Sequence, residues 1–266
     1  MNIEVKDYKR RKNEKKIIID YLKKALHNMS DLIIFDFNCW IVLAFMQISP
    51  RLSSPKEEYS YIISNGQVYI TAFAGTDKEV KILDTISEKP FTAIQELAFY
   101  NKQVENVYIP NGVKEIKERG FEKCFRLRNI EFPDSLNKIG QYGFRNCKGL
   151  KEIKLPSNLT SIEKGAFSNC SSLTEITIPE KITFIDDYTF SKCCNLQKVS
   201  IPDSVESIEE NAFWMCINLE NIKIPSSVTK IGKDEFSDCE NLTIITPKGS
   251  YAEKYAIENG IAYRNE

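Results

Sequence analysis

The sequence predicts a strand-rich α/β chain built as a solenoid around one parallel sheet, preceded by a small N-terminal helical segment. Three observations predict it. Phe121, Phe144, Phe167, Phe190, Phe213 and Phe236 recur every 23 residues. Cys124, Cys147, Cys170, Cys193, Cys216 and Cys239 keep the same period three residues later, and Leu127, Leu150, Leu173, Leu196, Leu219 and Leu242 three residues after those. Pro133, Pro156, Pro179, Pro202 and Pro225 close a short apolar run in each unit, I-x-I at its most regular. A fixed period in the twenties marks stacked units that share one long core, because a single unit cannot bury its apolar side alone.

Bulk composition excludes little but points the same way. The 266 residues are 42% hydrophobic, enough for a sizeable core, and the net charge of −1 argues against a nucleic-acid-binding protein. Residues 1–28 carry nine Lys/Arg against four acids. No secretory signal opens the chain, since the apolar region would have to lie far nearer Met1. A cytoplasmic, reduced protein is the expectation, with the cell surface as the alternative.

In chain order, residues 5–28 read as a helix, with Ile18, Leu22, Ala25, Leu26 and Met29 on one stripe. Leu32–Met46 is an apolar run interrupted by Asp36 and Asn38. It reads as a buried helix capping the solenoid. The alternative is a membrane anchor over residues 32–49. A span needs roughly 20 apolar residues, and Asp36 near the bilayer centre would cost on the order of 2.5–3.5 kcal/mol, so a membrane partner is disfavoured. Ser49 to Glu58, with Pro50 and Pro55, is a linker by composition. It divides an N-terminal segment, 1–57, from the solenoid, 58–266.

Tyr59–Ile70 alternates loosely and suggests a strand pair about the Asn65-Gly66 turn. A degenerate repeat follows, in which Val80, Ile82, Phe91, Ile94 and Phe99 fill the motif positions. Residues 58–98 thus read as a terminal cap and 99–245 as repeats. Residues 246–266 read as a closing cap, with a short helix started at Ser250, Glu253 at capping-box spacing, and Gly260 as its stop.

Within one coil, Ile176 and Ile178 point inward and Thr177 outward by the period of a strand. Pro179 ends the strand because it lacks an N–H, and Ile182 and Ile185 return to the core. Each coil is thus expected to supply one strand. The outward slot is held by Tyr108, Glu131, Lys154, Thr177, Ser200 and Lys223, flanked by Asn106, Asn129, Glu152, Glu175, Lys198 and Asn221. The core does not dictate these identities, so they are the candidate partner-binding residues. An ordinary soluble sheet face would be equally mixed. The column lacks the basic-aromatic weave of single-strand binders, and no nucleic acid is expected.

Sites for chemistry are sparse. The Cys column could form a metal ladder or disulfides, but no CxxC pairs or His partners repeat with it. The simpler reading is a small apolar filler beneath each turn. His27 is the sole histidine, is read as having no Cys or Ser partner in sequence reach, and a relay through it would also need an orienting acid. Asp186-Asp187 and Glu209-Glu210 read as a solvated turn face. The triplets at Asn158, Asn169 and Asn241 read as accidents, the last two arising from the repeat itself, unless the chain is exported from a eukaryotic cell. No catalytic residue, cofactor or metal site is expected.

The unit resembles the BspA-like leucine-rich repeat, whose pattern is aF-x-x-C-x-x-L-x-x-I-x-I-P-x-x-V-x-x-I-g. The opening "ITAFAGTDKEVKI" and the closing "GSYAEKYAIENGIAY" resemble that family's end units, so the resemblance covers about residues 59–266 and leaves 1–57 outside it. It implies a right-handed curved solenoid that binds proteins or surfaces, often outside the cell. The expected function is a non-catalytic scaffold for a protein partner. The alternative is a membrane-anchored or cell-surface adhesin using residues 32–49.

Overall fold

The computed structural model describes residues 59–86 and 89–266. The helix expected over 5–28, the apolar run 32–46, the linker and His27 lie outside the described residues.

Asn65 and Gly66 both take positive φ, 51° and 76°, the backbone of a two-residue hairpin turn matched to strand twist. They join Tyr59–Ser64 to Gln67–Phe73 as an antiparallel hairpin closing at Ser64↔Gln67. The expected strand pair is present and runs three residues further than the alternation suggested.

From Phe73 onward the chain coils. Phe73, Phe99, Phe121, Phe144, Phe167, Phe190, Phe213 and Phe236 stack ring on ring, with successive centroids 4.6 to 5.8 Å apart, so eight turns share one aromatic column. The Cys and Leu columns lie beside it, all buried. Val80, Ile82, Phe91, Ile94 and Phe99 of the degenerate first repeat are buried as the motif requires.

The tight turn at each Phe is built from alternating backbone hands. The residues two before and two after the ring adopt the left-handed conformation, as at Tyr142 and Asn146 (φ 56° and 65°) and at Tyr188 and Lys192 (57° and 62°). The alternation aims successive alternate N–H groups along the stack. Tyr142, Phe144 and Asn146 donate to the carbonyls of Lys164, Ala166 and Ser168 at 3.0, 2.7 and 2.8 Å. This satisfies backbone groups that would otherwise be stranded next to the core.

Two parallel ladders accompany the turns, where one was expected. The first is the I-x-I strand. Glu79–Lys81, Asn106–Tyr108 and Asn129–Glu131 pair in register, as do Glu175–Thr177, Lys198–Ser200, Asn221–Lys223 and Thr243–Thr246. The second starts from the hairpin, where Gln67–Phe73 pairs in parallel with Lys89–Ile94, and continues as two-residue strands ending on Ile116, Ile139 and Ile162, and again on Ile185, Ile208 and Ile231. At two residues each, these are too short to show a period in sequence. They form because the segment after each proline meets its counterpart one coil away, as when the N–H groups of Asn137 and Lys138 both donate to the Lys114 carbonyl.

Both ladders open at the same level. Glu152–Lys154 form no strand, and Ile162 and Ile185 are not paired. The turn ladder runs through this level unbroken, with Gly165, Phe167 and Asn169 donating to Asp187, Thr189 and Ser191.

The C-terminal end is closed by the helix Tyr251–Glu258. Ser250 is its N-cap and accepts the Glu253 N–H, as the spacing predicts, but the Glu253 carboxylate accepts the N–H of Gly249, one residue before the N-cap, because the Ser250 N–H is already given to the Pro247 carbonyl. Gly260, at φ 67°, follows the C-cap Asn259. Ala252, Tyr255 and Ala256 face the core, and Tyr255 meets Phe236 edge-on at 6.2 Å. A last strand, Ala262–Asn265, adds to the first ladder beside Thr243–Thr246. No sequence pattern announced it.

Candidate functional site: the outward face of the first ladder

The strands are three residues long, with the middle residue buried and its neighbours outward. The expected outward column is therefore real in five of its six members. Tyr108 lies opposite Glu131, and Thr177, Ser200 and Lys223 are consecutive partners, all exposed. Lys154 is exposed too but sits at the opening of the ladder, outside any strand. Here Ile153 and Leu155 are only half-buried, whereas Ile176 and Ile178 one coil on are buried.

The flanking slots form side-chain ladders of their own. The Asn129 amide donates to the Asn106 carbonyl oxygen at 2.6 Å, and Asn106 in turn donates to Glu79 at 3.5 Å. Identical amides one coil apart can donate upward and accept from below, so Asn is self-complementary in this position. Lys223 pairs with Glu266 at 2.8 Å, and the hydrogen bond to that carboxylate raises the lysine's pKa.

A second group borders this face and escaped the sequence reading, which followed only the I-x-I slots. Arg126 and Arg128 on one coil, and Lys148 and Lys151 on the next, are all exposed. Phe125, 40% exposed, lies beside them, with Lys148 Nζ 5.9 Å from its ring centroid. The signal was available in the strings FRLR and KGLK, at positions where the repeat motif is silent.

The Cys column has a structural role beyond filling space. Each thiol donates to the carbonyl of the Phe one coil back: Cys124 to Phe99 at 3.0 Å, Cys147 to Phe121 at 3.2 Å, Cys170 to Phe144 at 3.2 Å, and so on to Cys239. Burial pushes the thiols of Cys124 and Cys170 up to about 12. The seven described cysteines are free thiols, six of them buried. No group of three or more His, Cys, Asp or Glu side chains among the described residues could hold a metal ion.

Among the described residues, Glu235 is the one strongly perturbed carboxyl. It is fully buried, its Oε1 accepts the Phe213 N–H at 3.3 Å, and its Oε2 has no partner among the described residues. Burial raises its pKa to about 9. The corresponding positions one coil before and two coils before hold Ala212 and Thr189, whose backbone carbonyls accept the Phe190 and Phe167 N–H groups. The Glu235 side chain takes the place of such a carbonyl in the last regular turn. Perturbed acids often mark reactive sites, but here the hydrogen bond accounts for the position.

Among the described residues, no helix is long and apolar enough to cross a membrane. The family model for the BspA type leucine rich repeat region matches residues 92–219 and 183–259, in six copies. No curated protein matches the sequence. Among solved structures, a leucine rich cell surface protein from Faecalibacterium prausnitzii is 32% identical with a TM-score of 0.66, covering 75% of this chain and 55% of its own. The T. pallidum leucine-rich repeat protein is 25% identical with a TM-score of 0.67, covering 80% of this chain and 98% of its own. A leucine-rich repeat protein from Bacteroides ovatus is similar in fold, at 24% identity and a TM-score of 0.53, covering 80% of this chain and 67% of its own. The chain thus spans about half the length of the F. prausnitzii protein.

Proposed function

Because the chain belongs to the BspA-type leucine-rich repeat family, we propose that it is a non-catalytic scaffold whose outward sheet face engages a protein partner. One observation carries the reading. The inward columns repeat the same residues coil after coil, while the outward slot changes at every coil from Tyr108 through Glu131, Lys154, Thr177 and Ser200 to Lys223. Five of these side chains stand on strands of the first ladder and Lys154 stands exposed at its opening, so their variety costs the fold nothing and can encode a partner. Right-handed winding and an N-terminal segment over 1–57 belong to the same reading.

The test is capture of partner proteins by the full chain and by a Lys154→Glu/Lys223→Glu variant. The variant melts near the parent temperature, since surface substitutions usually change stability by under about 0.5 kcal/mol, and captures less. Equal capture overturns the assignment.

A second reading places the protein at the cell surface as an adhesin. It is favoured by the F. prausnitzii relative, described as a cell surface protein, and would use residues 32–49 as anchor. Fractionation separates the two: recovery without detergent rules out the anchor.

A further inference from the structure

The described residues hold one concentration of unpaired positive charge. Arg126, Arg128, Lys148, Lys151 and Lys154 lie on two successive coils, all exposed, and none makes an ion pair among the described residues. Several other cations of the stack are paired. Lys138 is held by Glu163 at 2.7 Å, Lys164 by Asp187 at 3.0 Å and Lys230 by Glu209 at 2.6 Å. One coil further, the slots of Lys148, Lys151 and Lys154 are filled by the neutral Ser171, Thr174 and Thr177. The charge is therefore local and is not a property of the repeat.

Two independent features coincide with it. Phe125 stands exposed at the same rim, and aromatic and Arg side chains are the types that anchor protein interfaces. The first ladder also opens here. Ile109 and Ile178 donate their N–H groups to Glu131 and Ser200 in the adjoining coils. The equivalent N–H groups of Phe132 and Leu155 meet no acceptor among the described residues.

We propose that this rim takes an acidic, extended segment of the protein partner, laid along the stack with an apolar side chain against Phe125. The inference rests on the scaffold reading and names the partner's chemistry. Planar guanidinium groups at Arg126 and Arg128 match carboxylates in two-point contacts. Glu131, Glu152 and Glu175 stand exposed in the neighbouring slots. A uniformly dense polyanion would be repelled by them, whereas a polypeptide carrying carboxylates at intervals is not.

The experiment uses the full chain and a fluorescein-labelled short peptide of Glu, Asp and Leu, with its Lys-for-acid counterpart and heparin as comparisons. The acidic peptide binds, and binding weakens as salt is added, because the rim is exposed and screened. Arg126→Glu/Arg128→Glu weakens it about tenfold or more. Phe125→Ala also weakens it, while Lys233→Glu, at an exposed turn more than three coils further along the stack, leaves it unchanged. Equal binding by parent and double reversal, or binding of heparin without binding of the acidic peptide, overturns the proposal. Partner capture separates the two readings. Capture that depends on Lys154 and Lys223 but survives the double reversal removes the acidic-segment inference alone. Capture indifferent to both sets removes the scaffold reading with it.

Discussion

The Cys147 thiol donates to the Phe121 carbonyl, 3.2 Å away and one coil back. The same contact repeats along the stack, so a sulfur beneath each turn serves as both apolar filler and weak donor. The thiols are consequently poor nucleophiles. Burial drives their pKa values upward, to about 12 at Cys124 and about 11 at Cys239, and only the thiolate reacts. In a chain carrying Cys39→Ser, a disulfide-exchange reagent at neutral pH should modify only the half-exposed Cys194, and seven thiols after denaturation. Rapid reaction of several native thiols would contradict the burial of the column.

Phe167 is stacked between Phe144 at 5.5 Å and Phe190 at 5.7 Å, with its plane within 4° of both. Phe167→Ala removes a fully buried ring from the middle of the column, and about 3–5 kcal/mol should be lost. Because coils are held mainly by their neighbours, denaturant melts of this variant should lose cooperativity, with the two flanking halves unfolding apart. A single transition shifted by under about 0.5 kcal/mol would show that the column does not carry this much of the stability.

Which parts of this architecture could be read in the residues follows from how the repeat encodes them. The Phe, Cys, Leu and Ile columns were legible because burial repeats with the period, and every Leu of the column from Leu127 to Leu242 is indeed interior. The Asn65-Gly66 hairpin and the Ser250 cap were legible because each needs particular residues at particular places. The second ladder was not, since a two-residue strand such as Ser161–Ile162 carries no alternation. The opening at Glu152–Lys154 was hidden for another reason: its residues still obey the motif, and only the pairing with adjacent coils fails. Of the candidate site, the outward column followed from strand period, but the basic rim at Arg126 and Lys151 lies where the motif is silent, so attention to the motif passed over it.

Glu235 gives the C-terminal end a pH dependence. Its folded pKa, raised to about 9 by burial, lies far above the ordinary carboxylate value of 4.5. The folded state therefore holds a proton that the unfolded state releases, and stability falls with rising pH wherever the unfolded chain binds fewer protons. The contribution is complete below about pH 4.5 and is lost progressively until the folded group itself ionises near pH 9. Glu235→Gln keeps an oxygen to accept the Phe213 N–H and cannot ionise. Between these limits its melting temperature should lose the Glu235 part of the downward slope, and at pH 8 it should exceed that of the parent. Parallel parent and variant profiles from pH 5 to 9 would refute the assignment.

The turn at Gly165 tests whether side chains one coil apart fix the backbone. Gly165 has φ 61°, and a methyl group there would lie 2.5 Å from two ring carbons of Tyr142. A ring that moves aside gives up its contacts with the guanidinium groups of Arg145, 5.0 Å from its centroid, and Arg119, at 5.7 Å. Gly165→Ala thus meets two penalties: about 1–2 kcal/mol for a left-handed non-glycine residue, and about 1–3 kcal/mol for overpacking. Tyr142→Ala removes the second and leaves the first. The double-mutant cycle should therefore show Gly165→Ala costing less in the Tyr142→Ala chain, by at least about 1 kcal/mol. An additive cycle would mean that backbone strain alone selects glycine here. The neighbouring coils argue otherwise: they hold Tyr142 and Tyr188 at the same left-handed position, so the conformation by itself does not demand glycine, and the ring lying across residue 165 does.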